Sequence, residues 1–463
     1  MQIFKQNSLL NKIGKIADQE KAEVYAVGGV VRDKLLGRDC KDIDFVIVGD
    51  GPSFAKAVAK KLQTKQPTIY QKFGTALVVY QDYNLEFVGA RKESYRSNSR
   101  KPTVTPADLS TDLARRDFTI NALAIGLNKN NFGEIIDHFN GQLDIRKKII
   151  RTPLDPVVTF EDDPLRILRA IRFATQLDFT IEPETKTGIE KTFKRLDIIS
   201  PERITEEFLK ILLAPRPSIG FFLMEETGVL NVVFPEFVAL KGIEQIEGHH
   251  HKDVFRHTLK VVDNVAAVSQ DINLRYTALV HDIAKPRTKE FVKGKGWTFH
   301  NHEEVGARML PGIGRRLRLP NEMTQYAQKL TRLHLRPISL TLEEVTDSAY
   351  RRLLVQAGEH LEDLLCLCRA DITSQNPQRV QKHLANFDFV VNRLQEVEGK
   401  DQMRAFQSPV RGEEIMRVCN LKPGPQIGKL KKMIEEAILE GDIPNDYDAA
   451  YQYLLSIKDT ISS

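Results

Sequence analysis

The sequence predicts an α+β protein: an N-terminal domain built on a mixed or antiparallel sheet with helices, followed by all-α modules. Two observations predict it. Short β-branched runs alternate with helical stretches over residues 20–150, and from about residue 153 the apolar spacing changes to a period near 3.6. The strand candidates, in order, are EVYAVGGVV, DIDFVIVGDG, TALVVYQDY, NLEFVGA, FTINALAIG and FGEIIDHFNG. The helical reading then rests on LRILRAIRFATQL, ERITEEFLKILL and SIGFFLMEETGVL, punctuated by loop signals at APRPS and IEGHHHKD. The triplet His249 to His251 is internal and reads as loop. These signals divide the chain into a head (1–152), a helical neck and body (153–246), a second helical module (247–372) and a helical tail (373–463) that follows the polar stretch TSQNPQR.

Composition fits this plan. The 463 residues allow several cores, and 41% hydrophobic with 28% charged residues is ordinary for folded protein rather than disorder. The sequence has no run of 18 apolar residues and no signal-peptide apolar region at its start, which predicts a cytoplasmic protein without a membrane span. Cys40, Cys366, Cys368 and Cys419 form no C-x-x-C pair or disulfide framework, as suits a reducing compartment. Net charge is only +5, yet the basic residues cluster. Residues 91–101 hold five Lys or Arg against one Glu, and residues 315–336 hold six against one. Each cluster suits either a polyanion or a solvated face.

The first chemical signal is AVGGVVRDKLLGRDCKDIDFVIV. Asp42 and Asp44 flank Ile43 at the start of a strand, so both carboxylates leave the same sheet face. Two carboxylates offering oxygen alone suit Mg²⁺, with substrate phosphates completing its shell. A pair of such ions, in a two-metal nucleotidyl transfer, would lower the pKa of an attacking hydroxyl and neutralise charge on the pyrophosphate leaving group. Gly28 and Gly29 allow close backbone approach to phosphate, and Arg32 can grip a phosphoryl oxygen. Glu86, an acid interrupting the apolar run NLEFVGA, is the candidate third carboxylate on a neighbouring strand. In LARRDFTINALAIG, Arg116 can hold a triphosphate. Asp117 and Asn121 either contact a ribose or order the loop, and a helix-start salt bridge with a turn asparagine is the plainer alternative.

FEDDPLRILRAIRF places Asp163 before a proline and then arginine at every third position: Arg166, Arg169 and Arg172. Asp163 is a good N-cap and Pro164 suits the first turn. Steps of three residues drift along one side of a helix, so Asp163 and Arg166 are neighbours, while Arg169 and Arg172 can reach phosphate or brace the pair.

Together GGVVRD, DID, RRDFTINALA and DDPLRILRAIRFA resemble the class II tRNA nucleotidyltransferases and bacterial poly(A) polymerases, in order over roughly residues 20–235. The resemblance implies a polymerase-beta-like palm with Asp42 and Asp44 as metal ligands, and a helical neck and body receiving the tRNA acceptor end. It also implies that Asp163 and Arg166 form a protein template for the incoming base. Hydrogen-bond chemistry supports that assignment. A carboxylate accepts from the exocyclic amine of cytosine or adenine, and a guanidinium donates to the neighbouring ring acceptor. Uracil and guanine present a carbonyl to the carboxylate, and a site built for one edge rejects the mismatch by ~10⁴-fold. The family often has Glu before this Asp, where this chain has Asp162.

In the second helical module, His257, His281-Asp282 and Asp371 follow the H…HD…D order of HD-domain phosphohydrolases. Imidazole with carboxylate suits Mn²⁺, Ni²⁺, Fe or Zn²⁺. His302 and His334 would complete a dinuclear site, as in some HD proteins. The expected chemistry there is hydrolysis of phosphomonoesters or 2′,3′-cyclic phosphodiesters at damaged tRNA ends.

The segment between Glu86 and Arg116 resembles the flexible loop of complete CCA-adding enzymes, and PVRGEEIM…LKPGPQIGKLKKMIEEAILEG resembles tails fused to an HD module. The expectation is therefore CCA addition to tRNA from CTP and ATP. Poly(A) synthesis and CC-only or A-only addition are the alternatives within the family. An HD metallophosphohydrolase with an RNA-binding head is the competing class.

Overall fold

The computed structural model describes residues 8–71, 74–96, 99–247, 250–293, 296–341, 345–374, 376–401 and 408–458. The chain forms two compact units, Met1–Pro235 and Glu236–Ser463.

The first unit is organised by a seven-stranded sheet. Its strands are β1 (Glu23–Val27), β2 (Asp42–Val48), β3 (Thr68–Tyr70), β4 (Thr75–Tyr80), β5 (Tyr83–Gly89), β8 (Ala124–Gly126) and β9 (Ile135–Ile136), while β6 (Arg91–Arg96) and β7 (Ser99–Pro106) form a separate hairpin. The order is β3-β4-β5-β2-β1-β8-β9. Only β2 and β5 run parallel; the other pairs are antiparallel. Alternation along β2 sends Ile43, Phe45 and Ile47 into the core on one face, where Phe45 stacks on Phe87 at 4.8 Å and Phe54 of helix Gly51–Lys61 meets Phe87 edge-on. The opposite face packs Tyr25, Val27 and Val46 against Leu109 and Leu113 of helix Leu109–Ala114. Asp42 and Asp44 lie on this second face of β2.

Helices follow the sheet, several of them begun by proline in the first turn: Pro156–Asp162, Pro183–Thr192, Pro201–Leu212 and Pro217–Glu226. Helix Leu165–Leu177 buries Ile167, Leu168, Ala170, Ile171 and Ala174, which turns its arginines away from that core. It packs against helices Pro201–Leu212 and Pro217–Glu226. Gly220 permits the second contact, because a Cβ there would lie 2.4 Å from Ile211 Cγ2 and 2.7 Å from Thr175 Oγ1.

The second unit is mainly helical. Helices Val254–Val268, Ile272–Val280, His302–Arg316, Asn321–Leu333 and Leu361–Asp371 surround a core of Val261, Val262, Leu279, Leu310, Leu330 and Leu367. Two hairpins interrupt them, Glu244–Glu247 with His250–Asp253 and Glu290–Val292 with Gly296–Thr298. The loop reading of the histidine triplet is thereby corrected. His250 and His251 pair with Glu247 and Ile246 in a ladder, and His249 lies outside the described residues. The tail contributes helix Pro377–Asp401 and helices Gly412–Cys419, Pro425–Glu440 and Tyr447–Ile457. No helix among the described residues is long and apolar enough to cross a membrane.

Candidate active site and metal centre

In the first unit, the parallel pairing of β2 and β5 sets Glu86 directly opposite Asp44 and Asn84 opposite Asp42. Paired residues share a face, so the three carboxylates form one acidic patch. Asn84 Nδ2 donates to Asp42 Oδ1 at 2.8 Å and fixes that carboxylate. Loss of water raises the pKa of Asp44, with Arg116 opposing and Asp42 reinforcing the rise. Burial and the Asp44 charge likewise raise that of Glu86. Three clustered acids with only oxygen to offer are a donor set that fits a hard divalent cation.

The turn before helix Gly29–Leu35 brings a guanidinium beside this patch. Gly28 has φ +73°, and a Cβ there would sit 2.9 Å from Arg116 Nη1 and 3.9 Å from Asp44 Oδ2. Glycine is thus required twice, by backbone conformation and by space. Gly29 is simply the first helical residue, with no such constraint. Arg116 Nη2 donates to Asp112 Oδ2 at 3.1 Å, whereas its buried Nε has no hydrogen-bond partner. Asp112 is fully buried and also accepts from Arg115 Nη2 at 2.6 Å. Sequence reasoning missed Asp112. Its signal is an acid three and four residues before an Arg-Arg pair on a short helix.

Asp117, Asn121, Arg32 and Arg169 form one chain of hydrogen bonds. Arg32 Nη1 donates to Asn121 Oδ1 at 2.6 Å, and its other nitrogens bind Asp33. Asn121 Nδ2 donates to Asp117 Oδ1 at 3.0 Å, and Arg169 reaches Asp117 Oδ2 through Nε at 2.8 Å and Nη2 at 2.7 Å. Burial alone would raise the Asp117 pKa, but Arg169 and Asn121 hold it at about 2. Asp117 and Asn121 thus tie the loop to Arg32 and Arg169. The guanidiniums of Arg32, Arg169 and Arg172 lie 4.9, 5.3 and 4.1 Å from the Phe173 ring centroid, a cation–π hub that arginine spacing alone does not reveal.

Asp163 sits between helices in an extended conformation (φ −138°, ψ 96°), and its Oδ1 accepts the Leu165 N–H at 3.2 Å. Arg166 is one residue inside the next helix, and its Nη2 donates to the Arg115 carbonyl at 2.6 Å. Arg172 is tied to buried Glu207, 2.6 Å from Nε to Oε2, another partner the sequence did not flag. The ladder therefore grips two places: the Arg115–Asp117 loop through Arg166 and Arg169, and helix Pro201–Leu212 through Arg172.

The second unit gathers six more candidates. His257, His281 and Asp371 offer ligand atoms within 4.8 Å of one another, as do Asp282, His302 and His334. His281, His302 and His334 each turn Nδ1 to a backbone carbonyl, of Ala278, Phe299 and Thr331, at 2.8, 2.8 and 2.6 Å. A carbonyl only accepts, so Nδ1 carries a proton and Nε2 is the atom each ring turns to the cluster. His302 Nε2 and His334 Nε2 then face each other at 3.4 Å, lone pair to lone pair, which a cation between them satisfies. Asp371 Oδ1 lies 2.8 Å from His257 Nε2 and 3.5 Å from His281 Nε2, so the three ligand atoms converge on one point. The donor set of imidazole and carboxylate thus fits one or two cations. Two neighbours escaped the sequence reading: Thr373 Oγ1, 2.9 Å from His257 Nδ1, and Lys285 Nζ, 2.7 Å from Asp282 Oδ2.

Three family models match the chain. They are "Poly A polymerase head domain" over residues 24–151, "Probable RNA and SrmB- binding site of polymerase A" over 178–240, and "HD domain" over 254–376. The "Multifunctional CCA protein" of Aliivibrio salmonicida is 31% identical over 417 residues, covering 85% of this chain and 97% of that protein. The "A-adding tRNA nucleotidyltransferase" of Deinococcus radiodurans is 29% identical, with 91% and 93% covered. A solved tRNA nucleotidyltransferase in complex with a primer tRNA and an incoming ATP analog aligns with a TM-score of 0.60 at 26% identity, covering 83% of this chain and 99% of that one. Sequence similarity over nearly the full length of such relatives, together with the matches to the head, RNA-binding and HD models, shows that the chain belongs to the tRNA nucleotidyltransferase/poly(A) polymerase family and carries a fused HD domain.

Proposed function

We infer that the protein adds nucleotides to the 3′ end of tRNA, completing CCA from CTP and ATP. The observation that carries this reading is the register of Asp44 against Glu86 beside Asp42, with Arg116 reaching over Gly28 to the same patch. A divalent cation on Asp42 and Asp44, Mg²⁺ by the oxygen-only donor set, would lower the pKa of the attacking hydroxyl and offset charge on the leaving group. The primer 3′-oxygen bonds to the α-phosphorus, and the bond from that phosphorus to the bridging oxygen breaks. Pyrophosphate leaves with the electron pair, and Glu86 takes the hydroxyl proton. Arg116, with a buried Nε lacking a partner, holds the triphosphate. Asp163 and Arg166 select the base by its Watson–Crick edge, and Arg169, Arg172, Arg32, Asp117 and Asn121 keep that pair fixed against the sheet. These substrates, together with four free thiols, go with a cytoplasmic setting.

Similarity to an A-adding relative over 91% of the chain supports a second reading, addition of the terminal A alone. For the HD centre we propose hydrolysis of phosphomonoesters or 2′,3′-cyclic phosphodiesters with a Mn, Ni, Fe or Zn ion on His257, His281, Asp282 and Asp371, joined by His302 and His334. Water adds its oxygen to phosphorus, one ester P–O bond breaks, and the water proton ends on the released hydroxyl.

The test is incubation with tRNA lacking its 3′ end and with each labelled nucleotide. Incorporation of C, C and then A is expected. Incorporation of A on tRNA already ending in CC, without C addition, would assign the A-adding activity, and long A tails would assign poly(A) synthesis. Asp42→Ala is expected to abolish incorporation while phosphohydrolysis persists; surviving incorporation would overturn the carboxylate assignment.

A further inference from the structure

A cavity of about 1020 Å³ opens over the HD cluster. Drug-sized ligands are buried in pockets of roughly 300–1,000 Å³, so this one is far larger than a lone phosphate requires. Two walls of different chemistry bound it. One is the hairpin carrying Trp297, whose indole is 41% exposed and lines the cavity, with Lys289 Nζ 4.6 Å from its ring centroid. The other is tail helix Pro377–Asp401, which lines the same cavity with Arg379, Lys382, His383 and Asn386. Those positions are i, i+3, i+4 and i+7, a single helical face, and Phe387 at i+8 is buried beneath it. Besides Asp282 and Asp371, Glu303 is the one acid among the described lining residues.

An ion centre recognises a phosphate without regard to what bears it. An aromatic platform recognises a base, and a cationic helix face set apart from the ions recognises a second phosphate. We propose that the tail helix makes the HD cleft selective for the end of an RNA strand over a mononucleotide: the terminal phosphate meets the HD cluster, the terminal base stacks on Trp297, and the phosphate one nucleotide further into the strand binds Arg379 and Lys382. The proposal rests on the phosphohydrolase reading only for the orientation of the strand. It assigns to the tail a part in substrate choice that the six metal-ligating candidates do not supply.

Trp297 is the chain's sole tryptophan, so its fluorescence reports on this cleft and not on the head. Full-length protein is titrated with adenosine 3′-monophosphate and with adenylyl-(3′→5′)-adenosine 3′-phosphate. Both are expected to quench Trp297, the dinucleotide with about tenfold tighter affinity and a steeper salt dependence. The variant R379E/K382E is expected to bring the dinucleotide down to the mononucleotide's affinity, and R379K/K382R to restore the preference. Equal affinities in the wild type, or equal losses for both ligands in R379E/K382E, would overturn the proposal, as would no quenching by either ligand. Failure of the wild type to hydrolyse an adenosine 2′,3′-cyclic phosphate terminus, with the binding pattern intact, would instead remove the phosphohydrolase reading and leave the selectivity in place.

Discussion

Arg169 Nη2 lies 2.7 Å from Asp117 Oδ2, joining the arginine helix to the loop that follows helix Leu109–Ala114 and its Arg115–Arg116 pair. Three residues earlier in the same helix, Arg166 donates to the Arg115 carbonyl. These two bonds fix the start of the arginine helix against that loop, across 52 and 51 residues of sequence.

Asp117→Ala removes the partner of Arg169 and of Asn121. Arg169 is about one-third exposed, so the loss is expected below the 3–5 kcal/mol typical of breaking a buried pair, at about 1–3 kcal/mol. Incorporation of C and of A is expected to fall together, by about 10²-fold. The pH dependence has a definite sign. The Asp117 pKa is depressed to about 2, so its contribution is complete above the unfolded value near ~4 and fades as pH falls toward 2. Urea melts of wild type and Asp117→Asn at pH 5 and pH 2.5 test this: the stability gap is expected to narrow at the lower pH, and a constant gap refutes the linkage.

Asp42 and Asp44 were legible as a D-x-D at the start of a strand, and Glu86 as an acid interrupting an apolar run. The six HD residues were legible as an ordered motif set, while their Nδ1 anchors on Ala278, Phe299 and Thr331 were not, since backbone acceptors leave no mark in sequence. Arg32, the phosphate candidate, bonds Asn121 and Asp33, and Asp117 pairs across 52 residues with Arg169, partners that the sequence did not mark. Period and composition reveal neighbours within an element, whereas these partners meet only once the helix has docked.

Glu86→Gln is expected to reduce incorporation by about 10²-fold or more, as loss of a proton acceptor does. The same change is expected to raise, or at least not lower, the melting temperature of the metal-free protein. Burial and Asp44 both push the Glu86 pKa up, so its charge opposes folding at neutral pH. A thermal melt in EDTA showing marked destabilisation would contradict this account of the acidic patch.

Arg166→Ala is expected to blur nucleotide choice more than it weakens tRNA binding. Removing the guanidinium leaves Asp163 to discriminate alone, and a lost donor pairing is worth ~1–3 kcal/mol of base selectivity. UTP misincorporation relative to CTP is therefore expected to rise by about 10–100-fold, with tRNA affinity changed by less than about threefold. Filter binding and single-nucleotide incorporation separate the two effects; an equal loss for CTP and UTP would mean that Arg166 only anchors the Arg115 carbonyl.

Metal loading of the HD centre is expected to strengthen with pH. Burial opposes charging of His281, but Asp282 and Asp371 outweigh it and hold its pKa at about 10 without metal. His334, buried beside His281, is pushed down to about 3 and stays neutral. In the metal-free protein the His281 proton adds stability that is complete below the unfolded value of ~6.5 and is lost as pH rises toward 10. A cation needs the Nε2 lone pair, so loading between pH 6 and 8 must expel the His281 proton, and apparent affinity is expected to rise about tenfold per pH unit. Calorimetric titration with Mn²⁺ in two buffers of different protonation heat measures that release directly. His281→Ala is expected to lower metal content and abolish the His281 proton release. His334→Ala is expected to lower metal content with the release retained, because its ring carries no dissociable proton in this range. A wild-type affinity that is flat with pH would mean that His281 enters the reaction already neutral, and that the two carboxylates do not hold its proton.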